Sequence, residues 1–365
     1  MTWRALGRKA ELREKAGLRR RVNPRDSTAI DLAGNDYLGL SRHPAIIAAA
    51  TAALAEYGLG ATGSRLVRGT TPEHVAIEDE LAAWIGTGSA VVYSSGYMAN
   101  VGAIRAVVRR GTRIVIDAHA HASLIDGARA TGADIVIAPH NDVTFIAGHL
   151  RPGDLAIAES IYSVDGDAAP LATLHAACHD IGALLLVDDA HGLGVTGPRG
   201  AGGAHTIAGE PEVIITATLS KALGAAGGVV AGPSALRRHL IDTGRTFIYD
   251  TAPPPAVIAG ARAAIAVAQD LDTGRRELRS RAAMVASHFG IPESAGGVLS
   301  LPAFSPQAAT TWAGDCQREG VAVGCFRPPS TPDGTSRLRL TISLGVSRPD
   351  FDRAVEVVSA CAPLS

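Results

Sequence analysis

Between residues 90 and 232 the chain repeats one pattern seven times: a short aliphatic run with no polar face. The runs are AVVY (90–93), RIVI (113–116), DIVIA (134–138), LAIAES (155–160), ALLLVDD (183–189), VIITAT (213–218) and GGVVAG (227–232). Alanine-rich stretches with helical character, among them 98–109, 123–131 and 173–181, lie between them. A strand that is apolar on both faces has to be covered on both faces. Strands of this kind separated by helices therefore predict an α/β fold with a mostly parallel sheet of seven-stranded type.

The proline-rich TAPPPA (251–256) ends this pattern. Beyond it lie a long Ala/Arg helical stretch (257–289) and three new strand-like segments, GVLSLPAF, VAVGCF and SRLRLTIS, which predict a smaller α+β C-terminal domain. Residues 1–40 read as a helix, a strand and the loop NDYLGL. The expected division is an N-terminal segment (1–40) packing with the small domain, a large domain (41–255) and the small domain (256–365).

Composition narrows the function classes. Lys+Arg 34 against Asp+Glu 35 leaves almost no net charge and no basic stripe for nucleic acid. The cluster Arg19-Arg20-Arg21 could grip one anion, not a polymer. No uncharged stretch is apolar enough to span a bilayer, and charged residues interrupt the N-terminus where a signal peptide would be apolar. The four cysteines have no Cys-x-x-Cys spacing, so reduced thiols in a cytoplasm are expected.

Ligands of an open α/β sheet sit outside the carboxyl ends of its strands. Those ends carry Ser94 to Tyr97, Asp117 to His121, Glu159 to Ser163, Asp188 to His191, and Thr218 to Lys221. In YSSGYMAN, the N–H groups of Gly96 and Tyr97 could face an anion at a helix N-terminus, or the residues could simply cap that helix. DAHAHAS has the D-x-H-x-H spacing of a metal hydrolase. Asp117, His119 and His121, with Asp188 and His191, would be its ligands; a satisfied loop, or one ring stacked on a flat cofactor, are the other readings. GLGVTG (192–197) matches G-x-G-x-x-G, but it neither follows a strand directly nor opens a helix, which argues against a dinucleotide site.

Lys221 is one of only three lysines, and from residue 213 to 236 it is the only charged side chain. Apolar surroundings penalise its charge and draw its pKa down from about 10.4, which favours a nucleophilic amine able to form a Schiff base. A lysine, a carboxylate such as Asp188 to keep a ring nitrogen protonated, and anion-binding amides make up the set that pyridoxal 5′-phosphate requires.

Seven motifs occur in order: NDYLGL, GATGSR, SSGYMAN, HASLIDGAR, ESIYSVDGDAAPL, VDDAHGLGVTGPRG and TLSKALGAAGG. Together, over nearly the whole chain, they resemble the α-oxoamine synthases, fold-type I pyridoxal phosphate enzymes that join an amino acid to an acyl thioester with loss of CO2. The resemblance implies that Lys221 carries the cofactor and moves the Cα proton, that Asp188 faces the pyridine nitrogen, His191 the phenolic oxygen, and that His121 stacks on the ring. It also implies Gly96, Tyr97 and Thr218 at the phosphate, Ser163 beside the cofactor, Glu159 close by, and Thr251 reaching in from a neighbouring subunit of a homodimer. GLRRRV and RPPSTPDGTSRLRLTIS look most like the members that take L-alanine and a pimeloyl thioester, on coenzyme A or an acyl carrier protein. There Arg19 and Ser330 would meet the acyl substrate, and Arg339 the amino acid carboxylate. Glycine acetyl transfer, or another member's substrate pair, is the alternative. Two positions depart from the pattern: Ser330 stands where threonine is usual, and Asp250 where serine often lies near the phosphate.

Overall fold

The structure is a computed structural model that describes residues 3–331 and 333–363. The chain opens with α1 (Trp3–Lys15), β1 (Ile30–Leu32), α2 (Pro44–Tyr57) and α3 (Pro72–Ile85). The seven apolar runs then form β2 (Ser89–Tyr93), β3 (Arg113–Asp117), β4 (Asp134–Ala138), β5 (Leu155–Glu159), β6 (Leu184–Asp188), β7 (Val213–Thr218) and β8 (Gly228–Gly232). They make one sheet in the order β2-β8-β7-β6-β5-β3-β4, parallel except for β8, which runs antiparallel to both neighbours.

Adjacent residues of these strands feed two separate apolar layers. Val115 and Val187 belong to one layer, with Ile77 and Leu81 of α3. Ile114, Ile116 and Leu186 belong to the other, with Ala103 and Ile104 of α4 (Gly96–Val107) and Leu124 of α5 (Ala122–Arg129). Both faces are therefore core, which is why the runs show no polar alternation. Each fully buried aliphatic side chain is worth about 1.5–3 kcal/mol, so a polar replacement anywhere along β5 or β7 would be costly. Only the edge strand β4 breaks the pattern, with Ile137 half exposed.

The connections on this sheet are completed by α6 (Val143–His149), α7 (Leu171–Ile181), α8 (Ser234–Thr243) and the single turn α9 (Arg245–Ile248). After the prolines come α10 (Pro255–Gln269), α11 (Asp272–Phe289), β9 (Val298–Ala303), α12 (Pro306–Arg318), β10 (Val321–Phe326), β11 (Ser336–Thr341) and α13 (Arg348–Ala360). A second sheet has the order β1-β10-β11-β9; β1 pairs parallel to β10, with Ile30 opposite Val321.

The stretch 257–289 reads as one helix in the sequence, and the structure divides it at Asp270-Leu271. Arg275, from the first turn of α11, accounts for the break. Its guanidinium donates back to the open carbonyls of Ala268 (2.6 Å) and Gln269 (3.3 Å), and it is held by Asp272. The side chain thus satisfies the end of α10 that a continuous helix would have satisfied with backbone. GLGVTG is a glycine turn, not the opening of a helix. It wraps the buried Asp189, whose Oδ1 lies where a Cβ on Gly192 would have to sit, at 2.0 Å. Among the described residues no helix is long and apolar enough to cross a membrane.

Candidate active site

The carboxyl ends of β2, β3, β5, β6 and β7 open on one cleft of about 220 Å³. Gly96, Tyr97, His121, Glu159, Ser163, Asp188, His191, Thr218 and Lys221 all line it. A larger cavity, about 950 Å³ between α2, α3 and α10, is walled largely by alanines and by Arg262 with its partners Glu73 and Glu80. It holds no lysine, histidine, cysteine or hydroxyl side chain, whereas the smaller cleft gathers a lysine, two histidines, two carboxylates and several hydroxyls.

Lys221 lies just past β7, and its Nζ is 2.8 Å from His191 Nε2. The other ring nitrogen, Nδ1, is 2.5 Å from the Tyr37 hydroxyl, which faces Asn35 Oδ1 at 3.4 Å. Burial, reinforced by Lys221, holds the His191 pKa well below the usual histidine range. A neutral ring has one N–H. The consistent assignment has Lys221 donating to Nε2, Nδ1–H donating to Tyr37, and Tyr37 donating to Asn35. Burial also pulls the Lys221 pKa down to about 8, against the opposing pull of Asp188 and Glu159.

Asp188 ends β6 and is buried. Its Oδ2 accepts from Asn100 Nδ2 (2.7 Å) and its Oδ1 from the Ala190 N–H (2.9 Å). Asn100 also donates to Ser123 and accepts from Thr216, so the carboxamide is fixed on both sides. His121 caps α5, with Nδ1 2.7 Å from Ser123 Oγ, and its backbone N–H donates to Glu159 Oε1 at 2.6 Å. Glu159 is buried, and burial next to Asp188 raises its pKa well above the carboxylate range.

At the opposite end of the cleft α4 begins, with Ser95 as its capping residue. A Cβ on Gly96 would come within 3.1 Å of Thr218 Cβ, so α4 approaches β7 closely here and glycine fits without displacing Thr218. Thr218 and Ser220 share a hydroxyl bond of 2.8 Å beside it. Helix N–H groups and hydroxyls converging this way form an anion cradle.

Arg339 on β11 donates to Ser163 O (2.8 Å) and Asn35 Oδ1 (2.6 Å), with its guanidinium 4.7 Å from the Phe326 ring centre. Its Nε is buried without a hydrogen-bond partner among the described residues. The Arg19 side chain turns to Glu14, and it is Arg20 that reaches Ser330 Oγ, at 2.7 Å. The segment after α1 is not helical, and in an extended chain neighbouring side chains point opposite ways. Arg20, not Arg19, is the one that faces Ser330. Thr251 is exposed, in an isolated bridge with Ser64, and does not line the cleft of its own chain. Asp250 turns to the Ser94 hydroxyl and the Thr251 N–H.

The D-x-H-x-H residues go separate ways. Asp117 accepts from His140 and from the N–H groups of His119 and Asn141. His119 stacks on His140 with ring centres 3.8 Å apart, and only His121 enters the cleft. Among the described residues the one group of three side chains with converging metal-ligand atoms is His175, His179 and Glu212, at the amino end of β7.

Asn100, Ser123, Ser220 and Tyr37 were not singled out from sequence. One signal was available for Asn100: it lies four residues after Gly96, hence on the same helix face, in an otherwise apolar run.

The chain belongs to the class I and II aminotransferase family, whose model matches residues 27–358. Its relatives include proteins named 8-amino-7-oxononanoate synthase. The one from Mycolicibacterium gilvum is 47% identical over 95% of this chain and 94% of its own; that from Mycolicibacterium smegmatis is 46% identical over 95% and 93%. Serine palmitoyltransferase from S. paucimobilis, solved with a bound PLP–myriocin aldimine, superposes with a TM-score of 0.90 at 28% identity, over 98% of this chain and 96% of that one. The expected fold-type I architecture and the resemblance to the α-oxoamine synthases are both borne out.

The residues present fit pyridoxal 5′-phosphate. A depressed-pKa amine, a buried carboxylate held by Asn100, and a glycine-lined helix start lie on three sides of one cleft. Arg339 does not itself line this cleft but is bonded to the carbonyl of Ser163, which does.

Proposed function

We propose that the protein is a pyridoxal 5′-phosphate-dependent acyltransferase that condenses L-alanine with a pimeloyl thioester, giving 8-amino-7-oxononanoate, CO2 and free thiol, a step of biotin biosynthesis. The observation that carries the chemistry is the 2.8 Å pairing of Lys221 with a neutral His191 inside the cleft that also holds Asp188. The names of the near-full-length relatives support the substrate pair.

Bound there, the cofactor supplies an electron sink for negative charge at the amino acid Cα. Lys221 would hold its aldehyde carbon and then take the Cα proton, a task suited to an amine whose pKa is near 8. His191 aims that amine. Asp188, fixed by Asn100, would hold the ring nitrogen, and His121 would lie against the ring. Gly96, Tyr97, Thr218 and Ser220 would take the phosphate, with Thr251 contributed by a second copy in a homodimer. Arg339 would bind the alanine carboxylate, next to Ser163. Arg20 and Ser330 would take the free carboxylate at the far end of the pimeloyl chain, where a guanidinium suits a planar acceptor.

The test is a turnover panel of alanine, glycine and serine against pimeloyl, acetyl and palmitoyl thioesters, on wild type and Lys221→Ala. Alanine with pimeloyl should dominate, and the variant should fold yet lose about 10²–10⁴-fold or more of the rate. Preference for glycine with acetyl would move the protein to a sibling activity. Normal turnover by the variant would end the proposal.

A further inference from the structure

His175 and His179 lie one helical turn apart on α7, and both rings turn to a single oxygen of Glu212, the residue before β7. His175 Nε2 is 2.9 Å and His179 Nδ1 2.7 Å from Glu212 Oε1. The donor atoms of all three lie within 4.8 Å of one another. None of them takes part in the cleft, which sits at the other end of β7, about 20 Å away along the strand.

From this geometry we infer that His175, His179 and Glu212 form a binding site for a zinc-class divalent metal ion. Two imidazoles at i and i+4 with one carboxylate give three ligands on one side of an ion and leave a fourth position open. Bonds of about 2.0–2.2 Å set neighbouring ligand atoms roughly 3.4 Å apart, so each histidine nitrogen, now at 2.9 and 2.7 Å, has to part from the Glu212 oxygen by well under an ångström. Nitrogen donors select zinc, nickel or copper over magnesium and calcium, which prefer oxygen.

The surroundings suit a cation. His175 and Glu212 are mostly buried (side chains 16% and 14% exposed), whereas His179 at 63% leaves a path from solvent. Asp180 and Glu210 lie close enough to act on His179 and add negative charge. The main chain at Glu212 is fixed, because its backbone carbonyl accepts from Leu185 N–H in the sheet ladder at 3.0 Å. An ion here would tie the carboxyl-terminal half of α7 to the start of β7, a clamp on the scaffold rather than a part in the reaction.

The experiment uses untagged, cofactor-loaded protein stripped with a chelator and titrated with zinc alone, followed by calorimetry and by thermal unfolding. The expected result is one zinc per chain, a higher unfolding temperature with zinc, and unchanged turnover. His179→Ala, at an exposed position, and Glu212→Gln should each weaken binding by about tenfold or more, since losing even an outer-shell partner costs about 10–100-fold. Variants that bind zinc as tightly as wild type would overturn the site. So would wild type that takes up none at concentrations where free histidine already binds it.

Discussion

Lys221 Nζ and His191 Nε2 are 2.8 Å apart, and His191 is braced from behind by Tyr37 at 2.5 Å. The amine is thus aimed by an uncharged acceptor that cannot repel it and cannot take its proton near neutrality. That relationship sets the first expectation.

In protein freed of cofactor, the neutral form of Lys221 is the one that attacks a carbonyl, so its reactivity rises with pH. With a pKa near 8, the rise should level off above that value instead of continuing toward 10.5. The measurement is borohydride-trapped labelling of the Lys221 peptide across this pH range. A midpoint at the ordinary lysine value would rule out burial as the control on this amine.

Asn100 donates to Asp188 at 2.7 Å. A hydrogen bond to a charged group is worth about 1.5–3 kcal/mol, so Asn100→Ala should weaken cofactor retention by about tenfold to a hundredfold. Absorbance titration of the stripped variant would read this directly. Unchanged affinity would mean that Ala190 N–H alone holds the carboxylate.

His140 joins Asp117 (2.8 Å) and Asp167 (2.9 Å). Burial opposes its charge, but the two carboxylates prevail and push its pKa up to about 10. A raised folded-state pKa stabilises fully below the unfolded value near 6.5, and the gain is lost as pH climbs through about 10. The stability gap between wild type and His140→Gln should therefore be wide at about pH 6 and shrink steadily toward pH 10. Urea midpoints at several pH values would show it; a gap that widens with pH would contradict the assignment.

Arg20 reaches Ser330 while Arg19 turns to Glu14. Arg20→Ala should raise KM for the pimeloyl thioester about tenfold, as expected for losing a charged partner, and leave KM for alanine nearly unchanged. Arg19→Ala should do little to either. The reverse ranking in a two-substrate kinetic comparison would restore Arg19 to the acyl end.

The sheet and most of the cleft were legible because their determinants are local. A strand buried on both faces announces itself as an aliphatic run, and Glu159, Asp188 and Lys221 sit at or just past the ends of such runs. The residues that tune them arrive from elsewhere. Tyr37 comes from a loop some 150 residues before His191, and Asn100 is one carboxamide in a helix. Nothing near Arg19 or Arg20 says which of them faces Ser330. The division between α10 and α11 was hidden for a similar reason: it depends on where one guanidinium folds back, and Arg275 looks like any other arginine of a helical stretch.

Strand β1 pairs with β10, and the loop that follows β1 carries Asn35 and Tyr37, the supports of Arg339 and His191. On the ribosome Tyr37 waits for His191, 154 residues on, and Asn35 and β1 wait for Arg339 and β10, some 300 residues on. Pairings so distant in sequence form late. The nascent protein would thus complete its large sheet first and settle the loop that braces its amine later, when β1 finds β10.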